Sequence, residues 1–101
     1  MKKSEKKALI MMATYNGEET IREQLDSIQS QDFQNWELYI SDDNSSDKTR
    51  EIIAEYQQRD SRIKKILINK KFHGAYANYF NVLEYIKNNI SNDYFDYYFY
   101  C

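Results

Sequence analysis

The sequence has little of three residue types: it contains no proline, two glycines and a single cysteine in 101 residues. Without proline and with so little glycine, it is neither a collagen-like repeat nor a proline-rich or Gly/Ser-rich linker. A lone cysteine, Cys101, cannot form an intramolecular disulfide, which excludes a disulfide-stabilised secreted scaffold. The length allows one ordinary domain.

Charge and apolar runs narrow the class further. The 14 basic and 16 acidic residues give a net charge of −2, which provides no basic field and argues against a nucleic-acid partner. The longest apolar run, Ala8–Ala13, is too short to cross a membrane, and the Lys-rich start lacks the long apolar region of a signal peptide. We therefore predict a soluble, cytoplasmic protein, with association at the inner face of a membrane left open.

Strand-like and helix-like patterns alternate after residues 1–7, which we interpret as a Lys-rich flexible tail. The predicted strands are Ala8–Ala13, Trp36–Ser41, Ile63–Ile68 and Tyr94–Tyr100, and the predicted helices are Glu18–Ser30, Lys48–Arg59 and Ala75–Asn88. Asn16 and Asp47 are the predicted N-caps. This alternation predicts one α/β domain over residues 8–101, a Rossmann-like three-layer α/β/α fold with a mainly parallel sheet and Ala8–Ala13 in its buried centre.

Such sheets bind ligands at the carboxyl ends of their strands, so the loops of interest are Thr14–Gly17, Asp42–Asp47 and Asn69–Gly74. The first loop has only Gly17, where a dinucleotide-binding turn needs G-x-G-x-x-G, and no G-x-x-x-x-G-K-[ST] motif is present. Both of these phosphate-binding classes are therefore disfavoured.

Asp42 and Asp43 are adjacent, so in an extended segment their side chains point to opposite sides. They are unsuited to act as an acid/base pair or to chelate one metal together. We expect one to face the ligand crevice, where a carboxylate can accept hydrogen bonds from a nucleobase imide or a ribose hydroxyl, and the other to serve the loop. In the alternative interpretation, both simply bend the loop together with Asn44, Ser45 and Ser46.

The other loop residues have a functional and a structural interpretation each. Tyr15 is either a flat face for a base or a core aromatic, and spacing alone favours the core. Lys70, Lys71 and His73 either meet a diphosphate or are solvated, and we favour solvation. Glu19 is expected to support the start of the first helix, and Gly74 to provide either a positive φ or a close approach before the third. Cys101 has no histidine in a recognisable nucleophile arrangement, so a catalytic thiol is not predicted.

These segments together resemble the start of family 2 glycosyltransferases, which have the GT-A fold. The most specific part is the strand Trp36-Glu37-Leu38 followed by the run Asp42-Asp43-Asn44-Ser45-Ser46-Asp47-Lys48-Thr49. Asn69, Gly74 and Asn78, followed by an aromatic strand, resemble the bacterial branch of rhamnosyltransferase-like enzymes. The resemblance covers nearly the whole chain after the Lys-rich tail.

The resemblance implies transfer of a sugar, with inversion, from a nucleoside-diphosphate-sugar donor to a saccharide or lipid-linked acceptor hydroxyl in bacterial cell-surface polysaccharide synthesis. It also implies a divalent cation, Mg²⁺ or Mn²⁺, on the diphosphate. By position, Ala13, Tyr15 and Asp43 match the family's nucleotide-base site, Asn16 and Glu19 match positions that shape this loop, and Gly74 and Asn78 match a segment near the donor.

The chain ends in an almost entirely aromatic segment, Tyr94 to Tyr100, that has the pattern of a buried strand. In the family, a D-x-D metal motif follows such a strand, and the resemblance places it after Cys101. We therefore expect a nucleotide-binding portion of a GT-A domain, incomplete at its C-terminus, without catalytic residues or metal ligands and without transferase activity. The alternative is a noncatalytic nucleotide-binding or protein-interaction α/β module, and the aromatic strand leaves a homo-oligomer open under either interpretation.

Overall fold

Strands and helices alternate along the chain in the computed structural model, which describes residues 6–69 and 74–101. The elements within these ranges are β1 (Ala8–Thr14), α1 (Ile21–Ser30), β2 (Trp36–Asp42), α2 (Thr49–Arg59), β3 (Ile63–Ile68), α3 (Ala75–Asn89) and β4 (Tyr97–Tyr100). The order of elements predicted from the sequence is therefore confirmed.

The described strands form one parallel sheet in the order β3-β2-β1-β4, with β1 and β2 inside and β3 and β4 at the edges. Alternate residues of β1 point to opposite faces, and the buried pattern shows that both faces are covered. Ile10 and Met12 belong to the core under α1 and α2, whereas Leu9 and Met11 belong to the core under α3. The predicted Rossmann-like three-layer arrangement, with β1 buried in the centre, is confirmed.

The strand order places a change of direction next to β1. The chain moves outward from β1 to β2 and β3 with α1 and α2 on one face, and α3 then crosses the opposite face to bring β4 beside β1. In open α/β sheets such a change of direction leaves a crevice at the carboxyl ends of the strands. The loop that follows β1 therefore lies where a ligand would be expected.

The first helix begins later than predicted. Helix α1 starts at Ile21 with Thr20 as its N-cap, so the prediction of Asn16 as N-cap and Glu18 as first residue was wrong. Asn16 has a φ of 46°, and residues 18–20 form a turn before the helix. Glu19 consequently precedes the first helical turn that it was expected to support.

The second helix shows a smaller difference. Helix α2 begins at Thr49, and Lys48 occupies the N-cap position that was predicted for Asp47. Asp47 still caps this end, because its carboxylate accepts hydrogen bonds from the Thr49 amide (3.0 Å) and the Thr49 hydroxyl (2.5 Å). The capping chemistry therefore comes from the predicted residue, one position further from the helix.

The prediction of a buried fourth strand over Tyr94–Tyr100 was wrong in its length and its burial. Strand β4 covers only Tyr97–Tyr100, and all its side chains are exposed. Phe95 instead packs in the core under α3, and the Asp96 amide donates to the Lys7 carbonyl at 2.7 Å. At the opposite edge, β3 exposes Lys64 and Lys65, so the two edges differ in charge.

Candidate functional site at the carboxyl ends of the strands

Asp42, the last residue of β2, is fully buried and serves the loop. Its Oδ1 accepts hydrogen bonds from the Thr14 hydroxyl and the Ser45 hydroxyl, both at 2.7 Å, and its Oδ2 accepts one from the Ser45 amide at 2.7 Å. The Arg50 guanidinium lies 3.6 Å from the same Oδ2. A buried carboxylate is stable only with such partners, and both oxygens of Asp42 find them within the protein.

Asp43 makes different contacts from its neighbour. Its amide donates to the Thr14 carbonyl at 2.8 Å, and its Oδ2 accepts from the Gly74 amide at 3.2 Å. The residue is 7% exposed. Asp43 therefore lies between the loop after β1 and the start of α3, while Asp42 serves its own loop; that Asp43 faces a ligand stays a prediction.

Tyr15 is 62% exposed, so its interpretation as a core aromatic was wrong. It follows β1 directly, and Asn16 after it has a left-handed backbone that asparagine tolerates better than most residues. The Asn16 amide donates to the Ser45 hydroxyl at 2.8 Å, and its side-chain oxygen accepts from the Ser46 amide at 2.8 Å. An exposed aromatic ring thus projects from a loop whose backbone is held by the neighbouring loop.

Further hydrogen bonds join these two loops along their length. The Gly17 amide donates to the Thr49 hydroxyl at 2.8 Å, the Glu18 amide to Asp47 at 3.2 Å, and the Lys48 amide back to Glu18 at 2.8 Å. The loops after β1 and β2 therefore form one unit. Glu18 makes a contact of the kind that the resemblance assigned to Glu19, which lies exposed beside it.

Asn78, on α3, lies beneath the loops in a buried polar cluster. Its Oδ1 accepts from the Ser41 hydroxyl at 2.6 Å, and its Nδ2 donates to the Gly74 carbonyl at 2.8 Å. Asn81 donates to the same Ser41 hydroxyl at 3.0 Å. The structure thus places Asn78 as a link between β2 and the start of α3.

Gly74 has a φ of 114°, as predicted, and occupies the N-cap position of α3. A Cβ at this position would meet no atom within 4 Å, so the backbone conformation, and not space, requires glycine. Ala13 is half-buried and pairs with Ser41 in the sheet. Lys70, Lys71 and His73, which we considered for a diphosphate, lie outside the described residues.

Several residues of the site were missed in the sequence. Thr14, Ser41, Arg50 and Asn81 all contact Asp42 or the Asn78 cluster, as does Ser45, which the sequence had indicated as a loop residue. A usable signal was present for Thr14 and Ser41, because each is a hydroxyl residue at the end of an apolar strand, where a buried hydroxyl needs a partner. Arg50 and Asn81 carry no such signal, since they look like ordinary polar helix residues.

Other features lie away from these loops. An apolar groove of about 380 Å³ beside β4 is lined by residues such as Phe33, Tyr97 and Phe99. Within residues 6–69 and 74–101, no three His, Cys, Asp or Glu side chains are grouped so that they could hold a metal ion. Over the same ranges, no helix has the length and apolar character needed to cross a membrane.

A parallel sheet with helices on both faces, and with hydrogen-bonded polar loops at the carboxyl ends of its strands, defines a Rossmann-like α/β domain. The family model described as "Glycosyl transferase family 2" matches residues 9–91. The chain belongs to glycosyl transferase family 2, and the resemblance noted in the sequence is confirmed.

Curated relatives agree with this assignment. The chain is 46% identical over 66 residues to UDP-Glc:alpha-D-GlcNAc-diphosphoundecaprenol beta-1,3-glucosyltransferase WfgD of Escherichia coli, covering 65% of the chain and 25% of the relative. It is 36% identical to GalNAc(5)-diNAcBac-PP-undecaprenol beta-1,3-glucosyltransferase of Campylobacter jejuni, covering 77% of the chain and 25% of the relative. It is 43% identical to dTDP-rhamnosyl transferase RfbG of Shigella flexneri, covering 72% and 26%. The chain thus spans about a quarter of the length of these relatives.

A solved structure shows the same fold. The mannosyltransferase PcManGT from Pyrobaculum calidifontis, in complex with GDP-Man and Mn²⁺, superposes with a TM-score of 0.69 at 21% identity, covering 77% of this chain and 24% of that one. The predicted Rossmann-like fold of a GT-A portion is therefore confirmed.

Proposed function

We propose that this chain is the nucleotide-binding portion of an inverting glycosyltransferase that takes a sugar from a nucleoside-diphosphate-sugar donor. The whole enzyme would transfer the sugar to an acceptor hydroxyl, saccharide or lipid-linked, in bacterial cell-surface polysaccharide synthesis. Membership of glycosyl transferase family 2 supports the reaction class, and the names of two relatives specify lipid-linked diphosphoundecaprenol or PP-undecaprenol substrates.

The observation that carries the proposal is the exposed ring of Tyr15 at the carboxyl end of β1, next in sequence to Thr14, whose carbonyl accepts from the Asp43 amide. An aromatic face stacks on any nucleobase, and a carboxylate accepts a hydrogen bond from an imide N–H. Ala13 leads into this loop, Asn16 and Gly74 shape its two sides, and Asn78 supports it from below. In this proposal Glu19 lies at the rim, as an exposed carboxylate.

The base that the site would take follows from this chemistry. Uracil and thymine both present an imide N–H, whereas adenine presents none. The names of two relatives specify UDP-Glc and dTDP-rhamnosyl donors, which carry these two bases. We therefore expect UDP and dTDP to bind with similar affinity and ADP to bind more weakly.

The divalent cation of the family does not fit the residues described. Asp42 has all its partners within the protein, and one oxygen of Asp43 accepts from the Gly74 amide. We propose that the cation, Mg²⁺ or Mn²⁺, is held by residues outside this chain, and that the chain by itself binds nucleotide without transferring sugar. The chemistry of its loops is recognition: stacking, hydrogen bonding and a preformed backbone.

Isothermal titration of the chain with UDP, dTDP and ADP tests the proposal. We expect Tyr15→Ala to weaken UDP binding by roughly fivefold to a hundredfold, since stacking on an aromatic side chain contributes about 1–3 kcal/mol per base. Tyr98→Ala is the matched control, because Tyr98 is also exposed but pairs with Leu9, near the other end of the sheet.

Asp43→Asn should remove most of the preference for UDP over ADP, because an amide no longer provides two acceptor oxygens. Equal binding of all three nucleotides by the unmodified chain would contradict the role of Asp43. Binding of none of them would contradict the whole proposal and favour an interaction module instead.

A further inference from the structure

Both peptide groups that flank the Tyr15 Cα are held by the loop after β2. The carbonyl of the first, which belongs to Thr14, accepts from the Asp43 amide at 2.8 Å. The amide of the second, which belongs to Asn16, donates to the Ser45 hydroxyl at 2.8 Å. The two backbone angles of Tyr15 are therefore restrained from both sides by residues about 30 positions away in the sequence.

These restraints converge on one buried carboxylate. The Ser45 hydroxyl accepts from Asn16 and donates its own proton to Asp42 Oδ1, which also accepts from the Thr14 hydroxyl, both at 2.7 Å. Asp42 is 0% exposed, and its other oxygen accepts from the Ser45 amide and lies 3.6 Å from Arg50. The Asp42 carboxylate thus holds Thr14, before Tyr15, directly. It holds Asn16, after Tyr15, through the Ser45 hydroxyl.

We propose that Asp42 and Ser45 are positioning residues that hold the Tyr15 ring in place for the base. This inference rests on the proposed function, in which Tyr15 stacks on the nucleobase. Neither positioning residue touches the ligand, because Asp42 is enclosed by protein partners and Ser45 is 2% exposed.

The physical gain is preorganisation. Asn16 has a φ of 46°, in a region that L-residues seldom adopt, and the contacts from the Ser45 hydroxyl and the Ser46 backbone amide offset the strain. Without them, the loop would sample other conformations, and an exposed tyrosine would lose more freedom on binding. A Tyr15 backbone fixed before the ligand arrives presents the ring with less loss of freedom on binding, so affinity rises with no added contact.

The test compares Ser45→Ala with Ser46→Ala in the full chain. Both remove a hydroxyl from the same loop, but only the Ser45 hydroxyl joins Asn16 to Asp42, whereas the exposed Ser46 hydroxyl lies 3.4 Å from the Asn16 side chain. We expect Ser45→Ala to weaken UDP binding roughly threefold to tenfold, the range of one lost hydrogen bond, and Ser46→Ala to leave it unchanged.

A double-mutant cycle separates positioning from a general structural effect. If Ser45 acts through Tyr15, then Ser45→Ala has no further effect on the UDP dissociation constant once Tyr15→Ala is present. Additive effects of the two changes would overturn the proposal. Thermal unfolding of each variant verifies that the chain is folded at the titration temperature.

Hydrogen exchange by NMR supplies a measurement without ligand. We expect the Asn16 amide to be protected in the unmodified chain and in Ser46→Ala, and to exchange faster in Ser45→Ala. Unchanged protection in Ser45→Ala would overturn the positioning proposal. If Tyr15→Ala weakens UDP binding and Ser45→Ala does not, positioning fails alone; if the unmodified chain binds no UDP, the proposed function fails and this inference with it.

Discussion

The two ends of the sheet each have a buried carboxylate, Glu37 at the amino end and Asp42 at the carboxyl end, but the two carboxylates contact nearby tyrosines differently. At the amino end, Glu37 accepts from the Tyr94 hydroxyl at 2.7 Å, and Lys7 lies 3.4 Å from the same oxygen and 5.3 Å from the Tyr94 ring centroid. This hydrogen bond to Glu37 is the main reason that the pKa of Tyr94 is raised. At the carboxyl end, Asp42 has comparable partners, and Tyr15, next to Thr14 in the chain, is 62% exposed against 42% for Tyr94.

A second aromatic at the amino end, Trp36, is fully buried. The Arg62 guanidinium lies 3.9 Å from the Trp36 ring centroid and forms an ion pair with Asp60 at 2.8 Å. At the amino end, Lys7 and Arg62 thus each lie over an aromatic ring. A buried polar cluster alone does not locate a ligand site, because both ends have one. The ends differ in how the tyrosine is held: the Tyr94 hydroxyl bonds directly to Glu37, whereas Asp42 holds Tyr15 through the neighbouring residues Thr14 and Asn16.

The largest expected effect is the loss of stability when either buried carboxylate is removed. Asp42→Ala leaves buried hydroxyl and amide donors without an acceptor, so we expect the free energy of unfolding to fall by about 3 kcal/mol. Glu37→Ala at the amino end should lower it by about 1 kcal/mol, because Lys7 and Tyr94 are partly exposed and can be rehydrated. Urea denaturation at equal m-values measures both, and equal losses would show that the two ends are energetically alike.

The next prediction concerns backbone strain at the carboxyl end. Gly74→Ala should lower the free energy of unfolding by about 2 kcal/mol, because φ of 114° with ψ of 163° is a conformation essentially confined to glycine. Gly17→Ala is the control: it lies outside the positive-φ set, and an added Cβ would meet Thr20 at an ordinary 3.7 Å. A similar loss in both variants would contradict the assignment of strain to Gly74.

The smallest expected effect is a pH dependence that belongs to the amino end. Hydrogen bonding from the Arg62 side chain is the main reason that the pKa of Asp60 falls to about 2. Since the folded pKa lies below the unfolded value of 3.8, the pair stabilises the protein above about pH 4 and loses that contribution as the pH falls towards 2.

With solvent screening, the expected loss of unfolding free energy from this pair is about 1 kcal/mol. Asp60→Asn should flatten that part of the stability curve, which urea titrations between pH 5 and pH 2 would follow. An unchanged slope in the variant would mean that another group is responsible.

The fold was predictable because its signals are local. The apolar run Ala8–Ala13 and the helical spacing of Ile21, Leu25 and Ile28 report burial directly, and the structure buries all but Ala13, which is half-buried. The start of α1 was not predictable in this way, because Asn16 takes its backbone conformation from Ser45 and Ser46, which are distant in the sequence. Local capping rules favour the first suitable side chain, here Asn16. They take no account of hydrogen bonds from residues that are distant in the sequence.

The candidate site was predictable in part for the same reason. The ends of the apolar runs indicated where the loops lie, and the adjacency of Asp42 and Asp43 predicted that their side chains would have different roles. Which of the two serves the loop depends on Thr14 and Arg50, which only the folded sheet brings to Asp42. The exposure of Tyr15 likewise could not be read from spacing, because a tyrosine after a buried strand suits a core equally well.

The unequal edges of the sheet have a consequence for assembly. Edge strand β3 presents Lys64 and Lys65, and charges on an edge discourage pairing with another strand, whereas Tyr97–Tyr100 of β4 presents none. Within the described residues, we therefore expect a further strand, from this protein or from another, to pair with the sheet beside β4 and not beside β3.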